Sequence, residues 1–312
     1  MTDGKWVRTM RNALLGWGLA IGLLVAPGAS HAILTSNDNV PGATLLLPYF
    51  EVDPTGTASK GVNTLMTISD SSASSVLVHV TVWSDASVPV LGFNIYFTGY
   101  DTISIDLRQV LTGTLPRAAS NGQDPQDTIS EQGLYSQDVN YASCTGELPP
   151  APVDPALVAA WQAALSGKKS PNNNTCSGID HGDNILRGYV TADTVNHCTA
   201  RDPNDNGYNN DLTNQNVLFG DWALTDGTTR GFQVSPLVAL EADATNSQTN
   251  AAGQYTFYGR YSNWQASDFR EPTVTNFATR YYNGPNGALP SKTTLIVWRD
   301  TKVNQAPYTC GT

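Results

Sequence analysis

The stretch "VLVHVTVW", residues 76–83, decides the fold class. Its valines occupy every second position, at Val76, Val78, Val80 and Val82. Strict alternation of this kind is typical of a β-strand, because successive side chains of an extended chain point to opposite faces of a sheet. His79 lies among these valines, and we interpret it as a packed or edge-strand histidine.

The same period of two recurs along the chain, in segments rich in Val, Ile, Thr and aromatic residues. Strands are predicted in "TLLLPYFEV" (44–52), "NTLMTIS" (63–69), "FNIYFT" (93–98), "ISIDLR" (103–108), "LRGYVTADTV" (186–195), "NVLFGDWAL" (216–224), "GFQVSPLVALEA" (231–242), "YTFYGRY" (255–261) and "TTLIVWRD" (293–300). The run "LIVW" in the last of these is apolar on both faces, which places it in the middle of a sheet. Short connections rich in Ser, Asp and Pro favour an all-β, mostly antiparallel sandwich.

One short helix is predicted in "VDPALVAAWQAALSG", residues 153–167. Asp154 is a suitable N-cap, Pro155 fits the first turn, and Gly167 ends the helix. Apolar residues recur every four positions on one face, at Leu157, Trp161 and Leu165. The helix lies in a polar insertion at about residues 117–183, within a single domain of residues 33–312.

The N-terminus predicts export. Three basic residues, Lys5, Arg8 and Arg11, precede an apolar run that ends at Ala26. Small residues at Ser30 and Ala32 then form the pattern that signal peptidase reads, so cleavage is expected after Ala32. An uncleaved N-terminal anchor is the alternative, but the apolar run is shorter than the roughly 20 residues of a membrane span.

The four cysteines predict two disulfides, because an even number in an exported chain is typical of an oxidising compartment. They are Cys144, Cys176, Cys198 and Cys310. We favour Cys144–Cys176 and Cys198–Cys310, since the first bridge would close the helical insertion on itself. A zinc site formed by Cys176, His181, His197 and Cys198 is the alternative, although its spacing matches no common zinc motif.

The charge argues against nucleic acid as a partner. The chain carries a formal net charge of −10, with 17 basic and 27 acidic residues. Binding a phosphate backbone requires clustered Lys and Arg, and an anionic membrane surface requires the same. The partner is therefore expected to be a protein or a glycan, including a second copy of the chain.

Several segments resemble the recurring blocks of uncharacterised exported bacterial β-rich proteins. These segments are "LLLPYFEVD", "VHVTVWSD", "YDTISIDLR", "NQNVLFGDW" and "TLIVWRD". The first half of the chain also resembles immunoglobulin-like sandwich modules, in which a strand pair ends in a tyrosine-containing corner. The resemblance implies an Ig-like β-sandwich and no particular activity, so it assigns no catalytic residue.

The stretch "DPNDNGYNND", residues 202–211, is a candidate calcium loop. Asp202, Asn204, Asn206 and Gly207 match the first half of the EF-hand pattern, and Asp211 is a further candidate ligand. The twelfth position is Thr213 instead of the usual Glu, so any calcium affinity is expected to be weak. The alternative is an Asx-rich turn whose side chains bond nearby backbone groups.

Two further patterns bear on function. Three acidic residues are candidate catalytic groups for glycoside hydrolysis or a lyase reaction: Glu241, Asp243 and Glu271. Glycoside hydrolysis needs two carboxylates that flank the scissile bond. Trp264 lies in the loop "YSNWQASD" and is a candidate for stacking on a sugar ring.

With three histidines after Ala32 and no G-x-S-x-G motif, nucleophilic catalysis is not favoured. The expected role is therefore non-enzymatic binding or assembly of an exported bacterial surface protein, with a carbohydrate-active enzyme as the alternative.

Overall fold

The computed structural model of the chain describes residues 40–116, 153–242, 269–271, 297 and 306–310. Within these ranges the chain forms eleven strands and three short helices. The strands are β1 (Thr44–Val52), β2 (Val62–Asp70), β3 (Val76–Ser84), β4 (Pro89–Phe97), β5 (Thr102–Asp106), β6 (Thr175–Cys176), β7 (Leu186–Val195), β8 (Leu218–Asp226), β9 (Gly231–Pro236), β10 (Val238–Leu240) and β11 (Tyr308–Thr309). The helices are α1 (Leu107–Leu111), α2 (Pro155–Leu165) and α3 (Tyr208–Asp211).

Two antiparallel sheets account for most of these strands. One has five strands in the order β10-β1-β7-β3-β4, and the other has four in the order β5-β2-β8-β9. A small two-stranded ladder pairs β6 with β11. The prediction of a mostly antiparallel all-β fold is confirmed, while the Ig-like character stays a prediction.

The two sheets pack their inner faces around one core, as a β-sandwich does. The five-stranded sheet contributes Val78, Val80 and Phe93, and the four-stranded sheet contributes Met66 and Ile68. All of these side chains are essentially inaccessible to solvent. Burying a large apolar side chain stabilises a fold by about 1.5–3 kcal/mol, so this shared core is what holds the sheets together.

Several predicted strands have different boundaries in the structure, and two of these differences have a local cause. The strand predicted at 103–108 ends at Asp106, because the Asp106 carboxylate accepts hydrogen bonds from the backbone N–H groups of Arg108 and Gln109 and so begins α1. The strand predicted at 231–242 is divided at Leu237, so that β9 and β10 lie in different sheets. Val297, expected within a central strand, is exposed and lies outside the strands, so that expectation is wrong at this position.

The predicted helix is confirmed as α2. Asp154 caps it by accepting a hydrogen bond from the Ala156 N–H at 2.8 Å, and Pro155 is its first residue. Gly167 follows in the left-handed conformation at φ +69°, which a residue without a Cβ adopts at little cost. Trp161 and Leu165 are buried in the core.

The disulfide pairing predicted from the sequence is wrong. Cys176 is bonded to Cys310, which joins the short ladder of β6 and β11. The helical insertion is therefore tied to the C-terminal residues instead of being closed on itself. Cys198 is disulfide-bonded as well, and the zinc alternative fails because its two thiolates are occupied in bridges. Sequence order could not reveal this, since the Cys176–Cys310 loop spans 134 residues.

The predicted signal peptide and the strand predicted at 255–261 lie outside the described residues. Among the helices that the structure describes, none combines the length and the hydrophobicity needed to cross a membrane.

Candidate functional site

A loop folds back over the outer face of the five-stranded sheet. It leaves β7 after Val195 and returns beside it, since the Asn196 N–H donates to the Asp211 carbonyl at 2.8 Å and the Thr213 N–H to the Thr194 carbonyl at 2.9 Å. We call residues 196–213 the cap segment. Tyr208 and Leu212 of this segment pack against Trp83 and other apolar residues of the outer face. The cap segment therefore excludes water from the part of that face beneath it.

The sheet face beneath the cap segment is polar. Asn94, His79, Asp193 and Thr44 are opposite one another in successive strands β4, β3, β7 and β1. Because residues in register share a face, their side chains form one continuous row. All four are buried, and we call them the polar row. Buried polar groups need hydrogen-bond partners, so the row requires an internal network.

Asp193 is the centre of that network. The Tyr208 hydroxyl donates to Asp193 Oδ2 at 2.8 Å, and the Thr44 hydroxyl donates to Oδ1. Arg270 Nε lies 3.4 Å from Oδ1, and neither side chain of this ion pair has any exposed area. The carboxylate charge is thus neutralised inside the protein by an arginine from a distant part of the sequence.

His79 is held in one tautomer by Asn94. The Asn94 amide nitrogen donates to the Thr199 carbonyl at 2.9 Å, which turns the amide oxygen toward His79 Nδ1 at 3.0 Å. Nδ1 must then carry the proton, and Nε2 is left as an acceptor with a lone pair. Burial lowers the pKa of His79, against the opposing effects of the Asn94 hydrogen bond and of the Asp193 and Asp211 charges, which favours the neutral ring.

The Nε2 side of the His79 ring packs against Gly92 of β4. A Cβ placed on Gly92 would lie 3.0 Å from His79 Nε2 and 3.5 Å from Asp202 Oδ1. A side chain at this position would press against the imidazole, so the glycine leaves room for the ring. Two buried atoms here, His79 Nε2 and the Thr81 hydroxyl, have no hydrogen-bond partner.

A further acid of the cap segment, Asp211, has several partners within that segment. It accepts from Arg201 Nη1 at 2.7 Å and from the Thr199 hydroxyl at 2.7 Å, and His197 Nε2 lies 3.4 Å away. Asp211 is therefore bound by basic and hydroxyl groups of its own segment.

The proposed calcium ligands occupy a compact turn. The Asp205 carboxylate accepts from the Asp202 N–H at 2.9 Å, and Gly207 has φ +95°, as the Asx-turn alternative expects. Over the described ranges, no three His, Cys, Asp or Glu side chains are close enough together to hold a metal ion. The calcium hypothesis for Asp202, Asn204, Asn206 and Asp211 stays a prediction, and calorimetry with millimolar calcium on the parent and on Asp202→Ala would test it.

Two of the three predicted catalytic carboxylates come from adjacent strand segments. The Glu271 N–H donates to the Glu241 carbonyl at 2.8 Å, and Ala242 is bridged to Arg270 in antiparallel fashion. Glu241 and Glu271 are consequently opposite each other, where Cβ atoms are about 4.5–5.5 Å apart. Asp243 and Trp264 lie outside the described residues.

The outer face of the four-stranded sheet carries exposed apolar side chains. Leu65 and Val234 belong to one register row, through Ala223, and Phe219 and Phe232 lie on the same side. We call these four residues the apolar face. Phe232 is 76% exposed and Val234 58% exposed, both on β9 at the edge of the sheet. An edge strand with exposed apolar side chains is a surface that favours contact with another chain.

Sequence reasoning identified Asp202 and Asp211 but missed Asp193, Asn94 and Arg270. The strand "LRGYVTADTV" contains Asp193 at a position that period-two alternation would normally assign to solvent. The available signal was weak: a carboxylate within a strand that is otherwise rich in Val, Thr and Ala. Arg270 could not be connected with Asp193, since tertiary contact alone brings them together.

Comparisons of the chain with models of known protein families, with curated proteins and with solved structures give no match.

Proposed function

We propose that this chain is an exported extracellular or cell-surface protein that binds a partner or assembles with copies of itself, without catalysis. The observation that carries the proposal is the apolar face, with Phe232 and Val234 exposed on the edge strand β9. An edge strand offers unpaired backbone groups for hydrogen bonding, and its side chains supply apolar contact.

The composition of β9 supports this role. Its sequence, "GFQVSP", contains no charged residue, whereas charges and lysines are the usual means of protecting a sheet edge. Among the described residues β9 is hydrogen-bonded to β8 alone, so its other edge is available to a further strand. A partner strand added there would extend the four-stranded sheet.

Export is supported by the disulfide chemistry. The Cys176–Cys310 bridge joins residues far apart in sequence, and such bridges persist in oxidising compartments outside the cytoplasm. Together with the N-terminal signal pattern, this favours a role at the surface or outside the cell. The acidic charge favours a protein or glycan partner over nucleic acid.

The test compares the parent protein with a Phe232→Lys/Val234→Lys variant, in their state of association and in their ligand binding. We expect the parent protein to self-associate or to retain a glycan or protein ligand in sedimentation and array experiments. The variant should lose that association, because the two lysines add positive charge to the edge strand and replace two exposed apolar side chains.

Tyr100→Lys is the matched control, because Tyr100 is 71% exposed and lies away from β9, in the turn between β4 and β5. It should associate like the parent. A parent that is monomeric at all concentrations and retains no protein or glycan would contradict the proposal. Equal loss in both variants would mean that β9 is not the surface involved.

A carbohydrate-active enzyme is the second candidate, and the opposition of Glu241 and Glu271 favours it. Retaining glycosidases place two carboxyl groups roughly 5–5.5 Å apart, and cross-strand neighbours can meet that separation. The structure describes this pair only through its backbone pairing, with Glu241 exposed. The parent protein would be tested for hydrolysis of a panel of glycans. Hydrolysis that is lost in both Glu241→Gln and Glu271→Gln would establish the enzymatic function in place of the binding function.

A further inference from the structure

The backbone of β9 directs hydrogen-bonding groups away from the sheet at defined positions. The Leu237 N–H donates to the Gly220 carbonyl at 2.9 Å, which continues the β8–β9 register as a hydrogen-bonded pair. Hydrogen-bonded and non-hydrogen-bonded pairs alternate along an antiparallel ladder. Phe232 and Val234 therefore occupy non-hydrogen-bonded positions toward β8, and their N–H and C=O groups point outward. Among the described residues β9 pairs with β8 alone, so these groups lie at an edge of the sheet.

The sequence of β9, "GFQVSP", is complementary to a second, antiparallel copy of itself. When Gln233 of one copy lies opposite Gln233 of the other, Phe232 of each copy lies opposite Val234 of the other. These residues then form hydrogen-bonded pairs, in which every outward N–H and C=O group of Phe232 and Val234 finds a partner. Each such pair also joins an aromatic to a β-branched side chain, a combination that stabilises neighbouring strands.

The distribution of charge around β9 fits a second copy. The strand has no charged residue, so two copies meet along it without repulsion, although the chain has a net charge of −10. Arg230 precedes β9, Asp221 lies opposite Pro236, and both charged residues are exposed. In the register centred on Gln233, Arg230 of each copy lies opposite Pro236 of the other, at the end that carries Asp221. Opposite charges therefore come together at both ends of the contact.

We infer that β9 pairs with β9 of a second copy of this chain, antiparallel and centred on Gln233, to form a symmetric dimer. The inference rests on the proposed function, of which it names the partner. A two-fold axis makes such a contact self-complementary, so that the same strand serves both copies. The two four-stranded sheets become one continuous sheet. Because paired residues share a face, Phe232 and Val234 of both copies form one apolar patch.

The experiment is cysteine cross-linking of the protein, produced with its native disulfides. Opposed residues of a non-hydrogen-bonded pair have Cα atoms about 4.5 Å apart, which a disulfide can span. We expect Gln233→Cys to form a covalent dimer, with peptide mapping showing the bridge between the two substituted positions. Ser235→Cys is the matched control, because it lies on the same side of the same strand. In this register its two copies would be roughly 14 Å apart along the strands, too far for a bridge.

Sedimentation supplies a second measurement. Val234→Pro removes an outward N–H from each copy while leaving the ladder to β8 intact, so the dimer should dissociate at least about tenfold more readily than the parent. Where this variant does not fold, the cross-linking decides alone.

Three outcomes would overturn the inference. One is equal cross-linking of Gln233→Cys and Ser235→Cys, and another is no cross-linking of either. The third is a parent protein that sediments as a monomer but retains a glycan or a different protein, which would leave the proposed function standing. A monomeric parent without any ligand would contradict both proposals.

Discussion

On the outer face of the five-stranded sheet, polar side chains are buried beneath the cap segment, whereas on the outer face of the four-stranded sheet apolar side chains are exposed. Asp193 and His79 have at most 1% of their surface exposed, while Phe232 has 76%. The usual distribution would be the reverse. One face is covered by the chain's own loop, whereas the described part of the other carries exposed apolar side chains.

The two faces obtain their stability in different ways. The polar row is held by specific hydrogen bonds and an ion pair, so removing one partner leaves others buried and unsatisfied. The apolar face has no such dependence, because its four side chains are 40–76% exposed. Substitutions should therefore have large effects on folding in the first region and small effects in the second.

The largest effect is expected from Asp193→Asn. Without the carboxylate, the buried Arg270 loses the anion that neutralises it, and breaking a buried ion pair in this way costs about 3–5 kcal/mol. Urea denaturation measures the loss. Asp180→Asn, at an exposed position, is the control and should leave the midpoint almost unchanged. A midpoint for Asp193→Asn equal to that of the control would show that the polar row does not stabilise the fold.

A smaller effect, of opposite sign, is expected from Asp202→Asn at pH 7. Burial and the charge of Asp205 raise the pKa of Asp202 to about 6, so at neutral pH the folded state holds an unfavourable charge. Removing that charge should stabilise the protein by about 1–3 kcal/mol at pH 7, and by less near pH 4 where the parent is already protonated. Thermal unfolding at both pH values tests this. A variant less stable than the parent at pH 7 would mean that the carboxylate is already compensated.

A third effect is expected in the way the free energy of unfolding depends on pH, because His79 is buried. Its pKa is lowered by burial, so the unfolded chain binds the proton more readily than the folded one. Stability should therefore fall as the pH drops below about 6.5, by at most about 1.4 kcal/mol per pH unit. His79→Gln should flatten this part of the profile of unfolding free energy against pH. An identical slope in parent and variant would assign the acid sensitivity to other groups.

The smallest effect is expected from Phe232→Lys and Val234→Lys on the unfolding of the isolated chain. Exposed side chains away from caps, ion pairs and the core usually change stability by less than about 0.5 kcal/mol. Measurement at a protein concentration below any self-association separates folding from assembly. A loss comparable with that of Asp193→Asn would show that the apolar face is buried within the single chain.

The sequence predicted the strands of both sheets well because period-two patterns are local. β1 and β7 have the predicted boundaries, and α2 begins and ends at the predicted cap residues. The division at Leu237 was missed, since the apolar pattern continues through the position where the chain changes sheets. Local periodicity cannot report which sheet a residue joins.

The candidate site was predicted less well than the fold. Asp202 was singled out for its spacing within the Asx-rich stretch, but its position beside Gly92 of β4 depends on how the cap segment folds back over the sheet. The disulfide prediction failed for the same reason, because the proximity of Cys176 to Cys310 is created by tertiary structure. Long-range neighbours of this kind leave no trace in residue spacing.

The change of sheet at Leu237 has a mechanical consequence. Only this one residue separates β9, at the edge of the four-stranded sheet, from β10, at the edge of the five-stranded sheet. Leu237 is itself buried, and its N–H donates to the Gly220 carbonyl at 2.9 Å. A strand that attached to β9 would consequently pull on a corner anchored in both sheets, so tension would be shared by the whole sandwich instead of peeling away a single edge.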